Sequence, residues 1–414
     1  MMSAPHSKPK SAGRRVLMST SVFPRWAGDD TPPFVLGQAE AIAAAGWSVT
    51  VLAPHAGGGV KNERLGGVDV VRFPYLWPES WQGLCYEGGM LVQLREHPHR
   101  KWQLPFFFLA QVMATRRLAR SGDFDLLHAH SLLPQGLTAL VGGHCLPVIA
   151  TSHGSDVFGL KEGGVYGRLK RRVVTHADAL TANSSVTEAA LLRLGATADR
   201  IHRVPASPNV TPADSAKVAA IRKRFEGGKL LLFVGRLIEQ KGVGDLITAL
   251  NGLDASAHLL VLGEGADRAK FEQLARALGV ADRVTFDGWV DRAELSHYFA
   301  AADVFVGPSK PGPGGAVEAQ GVVFAEAMAA GTPVVASRCG GIVDMIIDGE
   351  TGLLVEPGVP SQIATAVRRV LVDPDLAGEL VAKARQRYET EFSPGVVTQK
   401  LLRVYDGLLS GGRG

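Results

Sequence analysis

Two short stretches carry residues able to hold an anion and a polyhydroxy group at fixed spacing. The first, Val234-Gly-Arg-Leu-Ile-Glu-Gln-Lys-Gly242, follows an apolar run and sets Arg236 and Lys241 five positions apart. Two such cations can converge on a pyrophosphate, Arg236 with a fork of donors and Lys241 as a compact charge. Gly235 and Gly242 would let backbone approach the anion where a helix starts near Val243. An ordinary loop with solvated charges has the same composition, so this stretch alone leaves both readings open. The second, Glu318-Ala-Gln-Gly-Val-Val-Phe-Ala-Glu326, follows a Pro/Gly-rich run from Pro308 to Gly315 and sets two carboxylates eight positions apart. Glu318 falls in a loop, and Glu326 falls about one turn into a helix expected over Val322 to Ala330 and stopped by Gly331. Free amides at Val322 and Val323 would point at a phosphate. Glu326 could then accept two ribose hydroxyls, and Glu318 could reach sugar hydroxyls beyond the diphosphate. The alternative for Glu326 is a buried structural carboxylate.

Strands and helices must position these residues, and the hydrophobic pattern supplies them. Short Val/Leu/Ile runs alternate with amphipathic stretches throughout, the pattern of βα units whose parallel strands are covered on both faces. A first series opens with Arg15 to Ser21, a helix near Phe34 to Ala45 stopped by Gly46, and Ser48 to Ala53. It continues through Asp125 to His130, Pro147 to Thr151 and Ala179 to Ala182. Val204 to Pro212 holds three prolines and little that could pack, and reads as a linker. After a helix near Ser215 to Phe225, a second series has strands at Lys229 to Val234, His258 to Leu262, Arg283 to Phe286, Val304 to Val306 and Pro333 to Ala336. A chain of 414 residues exceeds what one core usually organises. Two doubly wound Rossmann-like domains are therefore expected, facing each other across a cleft lined by loops at the carboxyl ends of the strands. The expected layout is a disordered basic tail over 1–14, a domain over 15–205, another over 213–390 and a helix over 391–414 returning to the first.

Composition removes several function classes. A formal charge of +4, with cations spread along the chain, gives no reason to expect nucleic acid. Cys85, Cys145 and Cys339 stand far apart in no metal-ligand spacing, which fits a reducing compartment and favours the cytoplasm. The apolar run after the basic start reads as a first strand and not a signal peptide, and no run is long enough to span a membrane. Leu104-Pro-Phe-Phe-Phe-Leu109, with Arg116, Arg117 and Arg120 beyond it, and the group Arg168 to Arg172 raise the question of contact with anionic lipid at the inner face of a membrane. The preferred reading is that the apolar residues pack a helix on the sheet while the arginines are solvated.

With these motifs in hand, the chain resembles the family-4 retaining glycosyltransferases. Their Glu, seven residues, Glu pattern and upstream Gly-Arg…Lys-Gly loop are both present. Leu262-Gly-Glu-Gly265, Phe286-Asp-Gly-Trp-Val290, Ala302 to Ser309 and Gly331 to Ser337 follow in matching order. The resemblance spans nearly the whole chain and implies a GT-B fold and transfer of a hexose from a UDP- or GDP-sugar to a glycan, lipid-linked or small-molecule acceptor. It implies that Arg236, Lys241, Val322, Val323 and Gly28 meet the diphosphate, Glu326 the ribose, and Trp289 and Val290 the base. Glu318, Gln320 and Gly321 would meet the donor sugar. Thr151-Ser-His-Gly-Ser-Asp156 resembles the family's His-Gly loop, which makes His153, with Glu318, the catalytic candidate. Asp29, Asp30, His130 and Asp156 are the acceptor-side candidates. No Asp-x-Asp stands in a donor loop and no His/Cys cluster has metal spacing, so transfer without a metal or other cofactor is expected, with retention through a front-face displacement.

The pattern is broken at three places. The first loop reads Arg25-Trp-Ala-Gly-Asp-Asp30 where the family has a Gly-Gly pair. Pro205-Ala-Ser-Pro-Asn-Val210 replaces Pro-Asn-Gly-Val-Asp at the domain junction, and Gln320 stands where an aromatic is usual. A nucleotide-sugar 2-epimerase of the same architecture and an inactive nucleotide-sugar-binding scaffold are the rival readings. The Glu, seven residues, Glu pattern speaks against the first and the full set of site residues against the second.

Overall fold

The computed structural model describes residues 13–26, 28–29, 31, 34–86, 88–159, 163–208, 210–225, 227–312 and 315–411. Most of the expected basic tail and Asp30 lie outside them. The described residues fall into two compact units, the first within Met1–Ala182, Ala190–His202 and Thr398–Gly414, the second within Asn183–Ala189 and Arg203–Val397.

In the first unit the strands are β1 (Arg15–Ser19), β2 (Ser48–Pro54), β3 (Asn62–Leu65), β4 (Val68–Phe73), β5 (Leu126–His130), β6 (Val148–Ser152), β7 (Ala179–Ala182) and β8 (Ile201–Arg203). They form one sheet in the order β3-β4-β2-β1-β5-β6-β7-β8. β3 runs antiparallel to β4, whereas β1 pairs in parallel with both β2 and β5. Strand order reverses between β1 and β5, which places the loops after those strands at the crevice where α/β sheets bind ligands. Leu17, Leu52, Leu127 and Ala129 pack with Phe107 of the helix Leu104–Ala119 in one cluster.

The second unit holds β9 (Lys229–Val234), β10 (Ala257–Leu262), β11 (Val284–Gly288), β12 (Val304–Gly307), β13 (Val334–Ser337) and β14 (Leu353–Val355). All pair in parallel, in the order β11-β10-β9-β12-β13-β14. Alternate residues face opposite sides of the pleat. Leu231, Phe233, Leu259 and Val261 therefore enter one core cluster, while Leu230, Leu232, Leu260 and Leu262 enter the other. Burial on both faces is why these strands read as unbroken apolar runs. Here strand order reverses between β9 and β12.

Within the stretch expected as the linker, the Gln320 carboxamide accepts from Ala206 N at 2.7 Å and donates to Ala206 O at 2.9 Å, and Ser207 Oγ donates to Phe392 O at 2.8 Å. One expectation is corrected by the structure. The helix Leu104–Ala119 does not bury its apolar residues as a set. Phe107 is buried, but Phe106, Leu109 and Met113 are 51%, 58% and 63% exposed.

Candidate active site

In the second unit the loop after β9 is gripped from both sides. Leu237 is fully buried and its N–H donates to Glu264 O at 2.9 Å, tying the loop to the one after β10. On the other side Gly242, at φ +73°, opens the helix Val243–Ala249; a Cβ there would lie 1.9 Å from Pro308 O. Only glycine permits that approach to the segment following β12. Lys310 reinforces the join by bridging Glu239 at 2.7 Å and Asp245 at 3.1 Å. Burial lowers the Lys310 pKa, but its two carboxylate partners outweigh this and raise it.

This packing brings Lys241 and Glu318 together as a half-buried ion pair. The Arg236 side chain is exposed and, among the described residues, has no hydrogen-bond or ion-pair partner. The loop after β13 fixes the Glu318 backbone: Gly341 N donates to Glu318 O at 2.8 Å, and a Cβ on Gly340 would lie 2.2 Å from the same oxygen. The helix Val322–Ala330 starts from Gly321 at φ +81° with no side-chain cap, so nothing from Gly321 occupies the Val322 and Val323 amides. Glu326, 8% exposed, turns from that helix toward Arg292, whose NH2 lies 2.9 Å away. Trp289 follows β11 and is 60% exposed, while Val290 packs partly on the core. Arg236, Lys241, Glu318, Gly321, Val322, Val323 and Glu326 thus surround the crossover between β9 and β12. The side chain of Gln320 is buried and occupied by the Ala206 backbone, so two departures from the family pattern, at 205–210 and at 320, are one interaction. Arg292 and Lys310 are partners the sequence reading did not name.

In the first unit His153 follows β6 and faces His130, at the end of β5, with Nε2 to Nδ1 at 3.3 Å and the rings stacked 7° from parallel. Phe34 meets the His153 ring edge-on. Below them His128 is sealed, with Nδ1 2.7 Å from the Tyr405 hydroxyl and Nε2 2.6 Å from Thr151 Oγ1. Burial depresses all three imidazole pKa values, His128 to about 3; the neighbouring Asp156 only partly opposes this at His153. The rings are therefore neutral near pH 7 and present one donor and one acceptor each. Ser131, immediately after His130, is the one non-glycine residue with positive φ (109°) among the described residues. No group of three His, Cys, Asp or Glu side chains among the described residues is arranged to hold a metal ion.

Two acceptor-side candidates have inward-facing carboxylates. Asp156 is 4% exposed and accepts from Leu132 N, Ser152 Oγ and His153 N, so it fixes the His153 loop. Asp29 accepts from the Arg25 backbone at 2.7 Å and from its guanidinium at 2.7 Å. Burial alone would raise the Asp29 pKa, yet those bonds prevail and hold it at about 2. Gly28 makes the turn beside it at φ +80°.

The fold and these loops define the class: two parallel-sheet α/β units of the GT-B glycosyltransferase type. More narrowly, the chain belongs to glycosyltransferase family 4, since residues 34–207 match the Glycosyltransferase Family 4 model and residues 214–387 match the Glycosyl transferases group 1 model. It is 32% identical over 298 residues to a GDP-mannose-dependent alpha-(1-6)-phosphatidylinositol monomannoside mannosyltransferase of Mycobacterium tuberculosis, covering 69% of this chain and 77% of that one. It is 31% identical over 407 residues to a glycogen synthase of Mycobacterium tuberculosis, covering 90% and 92%. Among solved structures, sucrose-phosphate synthase of Thermosynechococcus elongatus matches with a TM-score of 0.76 at 25% identity, covering 96% of this chain and all (100%) of that one. Anabaena HepE in complex with UDP matches at 0.71 and 17% identity, covering 95% and 100%, a likeness of fold alone.

Proposed function

We propose that this glycosyltransferase moves a hexose from a nucleotide diphosphate sugar to a hydroxyl acceptor with retention at the anomeric carbon and without a metal ion. The observation that carries this reading is the ion pair of Lys241 with Glu318, clamped by Gly242 against Pro308 and set beside the uncapped start of the helix Val322–Ala330. A cation and a carboxylate are thereby held side by side at a strand crossover, as a diphosphate joined to a sugar requires.

In this reading Arg236, Lys241 and the Val322 and Val323 amides stabilise charge on the leaving phosphate, the part a divalent ion plays elsewhere. Glu326 accepts the ribose hydroxyls, and Trp289 and Val290 meet the base. Glu318 accepts donor-sugar hydroxyls, and since the Gln320 carboxamide is engaged with Ala206, Gln320 and Gly321 contribute backbone. Gly28 is assigned to the diphosphate and His153 to the reacting sugar, where a neutral imidazole can hydrogen-bond without adding charge. The bond from the anomeric carbon to the phosphate oxygen breaks, the acceptor oxygen bonds the same face, and the acceptor proton passes to the departing phosphate. A relative named for its dependence on GDP-mannose supports a nucleoside diphosphate sugar as donor.

The test is a thermal-shift screen of UDP, GDP and ADP and their sugars, followed by turnover with the stabilising donor with and without chelator. A saturating ligand, at about 100 times its Kd, should add ~2.7 kcal/mol to the unit that binds it. An inverted product anomer, or activity abolished by chelator and restored by a divalent ion, would overturn the reading.

A further inference from the structure

We propose that Arg25 and Asp29 are positioning residues: their ion pair closes the loop after β1 into a fixed turn that holds Gly28 for the donor diphosphate. This rests on the function proposed above and takes Asp29 away from the acceptor. Asp29 N donates to Trp26 O at 3.2 Å, and Gly28, third in that turn, stands at φ +80°, a conformation that favours glycine. A Cβ on Gly28 would meet nothing within 4 Å, so this side of the turn is open to an approaching ligand. The Asp29 side chain, by contrast, is 1% exposed and engaged within the loop. It accepts from Arg25 N and Nη2 at 2.7 Å each, from Arg25 Nε at 3.1 Å, and from Thr31. An acceptor hydroxyl would have to break those bonds to reach it.

The base of the turn is anchored separately. Arg72 of β4 is buried, and its Nη2 donates to Pro24 O at 2.6 Å and to Arg25 O at 3.2 Å. Its Nε and Nη2 also meet Glu63 Oε1 at 2.8 and 2.5 Å. A buried guanidinium needs a carboxylate beside it, and the polar edge strand β3 supplies one. The Arg25 guanidinium lies over the rings of Trp26 at 4.5 Å and Tyr86 at 5.5 Å, and the Tyr86 hydroxyl donates to Pro54 O, at the end of β2, at 2.7 Å. Where a Gly-Gly pair would leave the backbone free, these contacts fix it before the ligand arrives, so less ordering is left to oppose binding. The bonds from Arg25 hold the Asp29 pKa at about 2, which keeps the pair charged under ordinary assay conditions.

Hydrogen exchange and steady-state kinetics on the full chain test this. In wild type the Arg25 and Asp29 amides, both hydrogen-bonded, should be protected to the same degree between about pH 5 and 8 once intrinsic rates are corrected for. Arg25→Ala and Asp29→Ala should each speed exchange in this loop about tenfold or more and leave the sheet unchanged, which separates a loosened turn from an unfolded chain. Each should raise the donor KM about tenfold and lower kcat by less than about threefold. Because the two side chains act as one device, the double variant should lose no more than either single, and Arg25→Lys should restore part of the donor affinity. The proposal is overturned if Asp29→Ala abolishes kcat with donor KM and loop exchange as in wild type, which would make Asp29 an acceptor-side group, or if the two losses add. Wild type that binds no nucleotide sugar would remove the proposed function and this role with it. Wild type that binds one, with variants indistinguishable from it, would remove this role alone.

Discussion

At Lys241 a single ammonium serves two partners, the Glu318 carboxylate in the free enzyme and, in the proposed reaction, the leaving phosphate. Lys241→Ala is expected to lower kcat/KM by about 10²–10³-fold, the size seen when one charge-stabilising donor is removed, with circular dichroism unchanged. A loss under about threefold in steady-state assays would remove Lys241 from the mechanism. Glu326→Ala should act mainly on donor affinity, weakening nucleotide binding about ten- to a hundredfold by calorimetry, and it also leaves Arg292 without its carboxylate. The histidines give a pH prediction. Burial lowers the pKa of His128, His130 and His153 in the folded chain, so the unfolded chain binds protons first as pH falls. Stability is complete above the unfolded value of about 6.5 and declines below it, by about 1.4 kcal/mol per pH unit for each histidine that stays neutral when folded. Urea midpoints between about pH 7 and 5 should fall accordingly, and His128→Phe should flatten the slope; an unchanged slope would remove His128 from the account. Arg236, Lys241, Glu318 and Glu326 were legible because a motif a few residues long fixes their types and spacing. Arg292 and Lys310 were not, because each finds its partner through the fold across 34 or more residues of chain.

Among the elements, the apolar runs announced the central strands, since burial on both faces leaves no alternation to misread. β3, β8 and β14 are hidden in the sequence for physical reasons. β3 is Asn-Glu-Arg-Leu on an antiparallel edge, and β8 and β14 have three residues each, too few to show a period. The helix Leu104–Ala119 reads as packed in the sequence because hydrophobicity tells which residues avoid water and not which face meets the sheet. Backbone contact was likewise only half visible: Gly242 could be noted as permissive, but its approach to Pro308 belongs to the folded loop. Gly242→Ala forces a Cβ into that carbonyl from a left-handed conformation and should cost about 2 kcal/mol or more. The urea unfolding midpoint of the second unit, together with nucleotide affinity, checks this; a neutral result would mean that the two loops separate freely.

Over the whole molecule, the first unit is discontinuous in sequence. The helix of Pro394–Ser410 begins beyond the second unit's last elements, yet from Thr398 onward it counts with the first, and Tyr405 is fully buried there against Trp47 and His128. Synthesis therefore delivers the sheet from β1 to β8 long before the phenol that closes one of its faces. A nascent chain on the ribosome must carry Trp47 and the His128 nitrogen uncovered while nearly two hundred further residues, 203–397, are translated. Stalled chains released before Pro394 are expected to be cut by protease within the first unit, and chains carried past Ser410 to resist; equal resistance of both would show that the early sheet stands without its late-made helix.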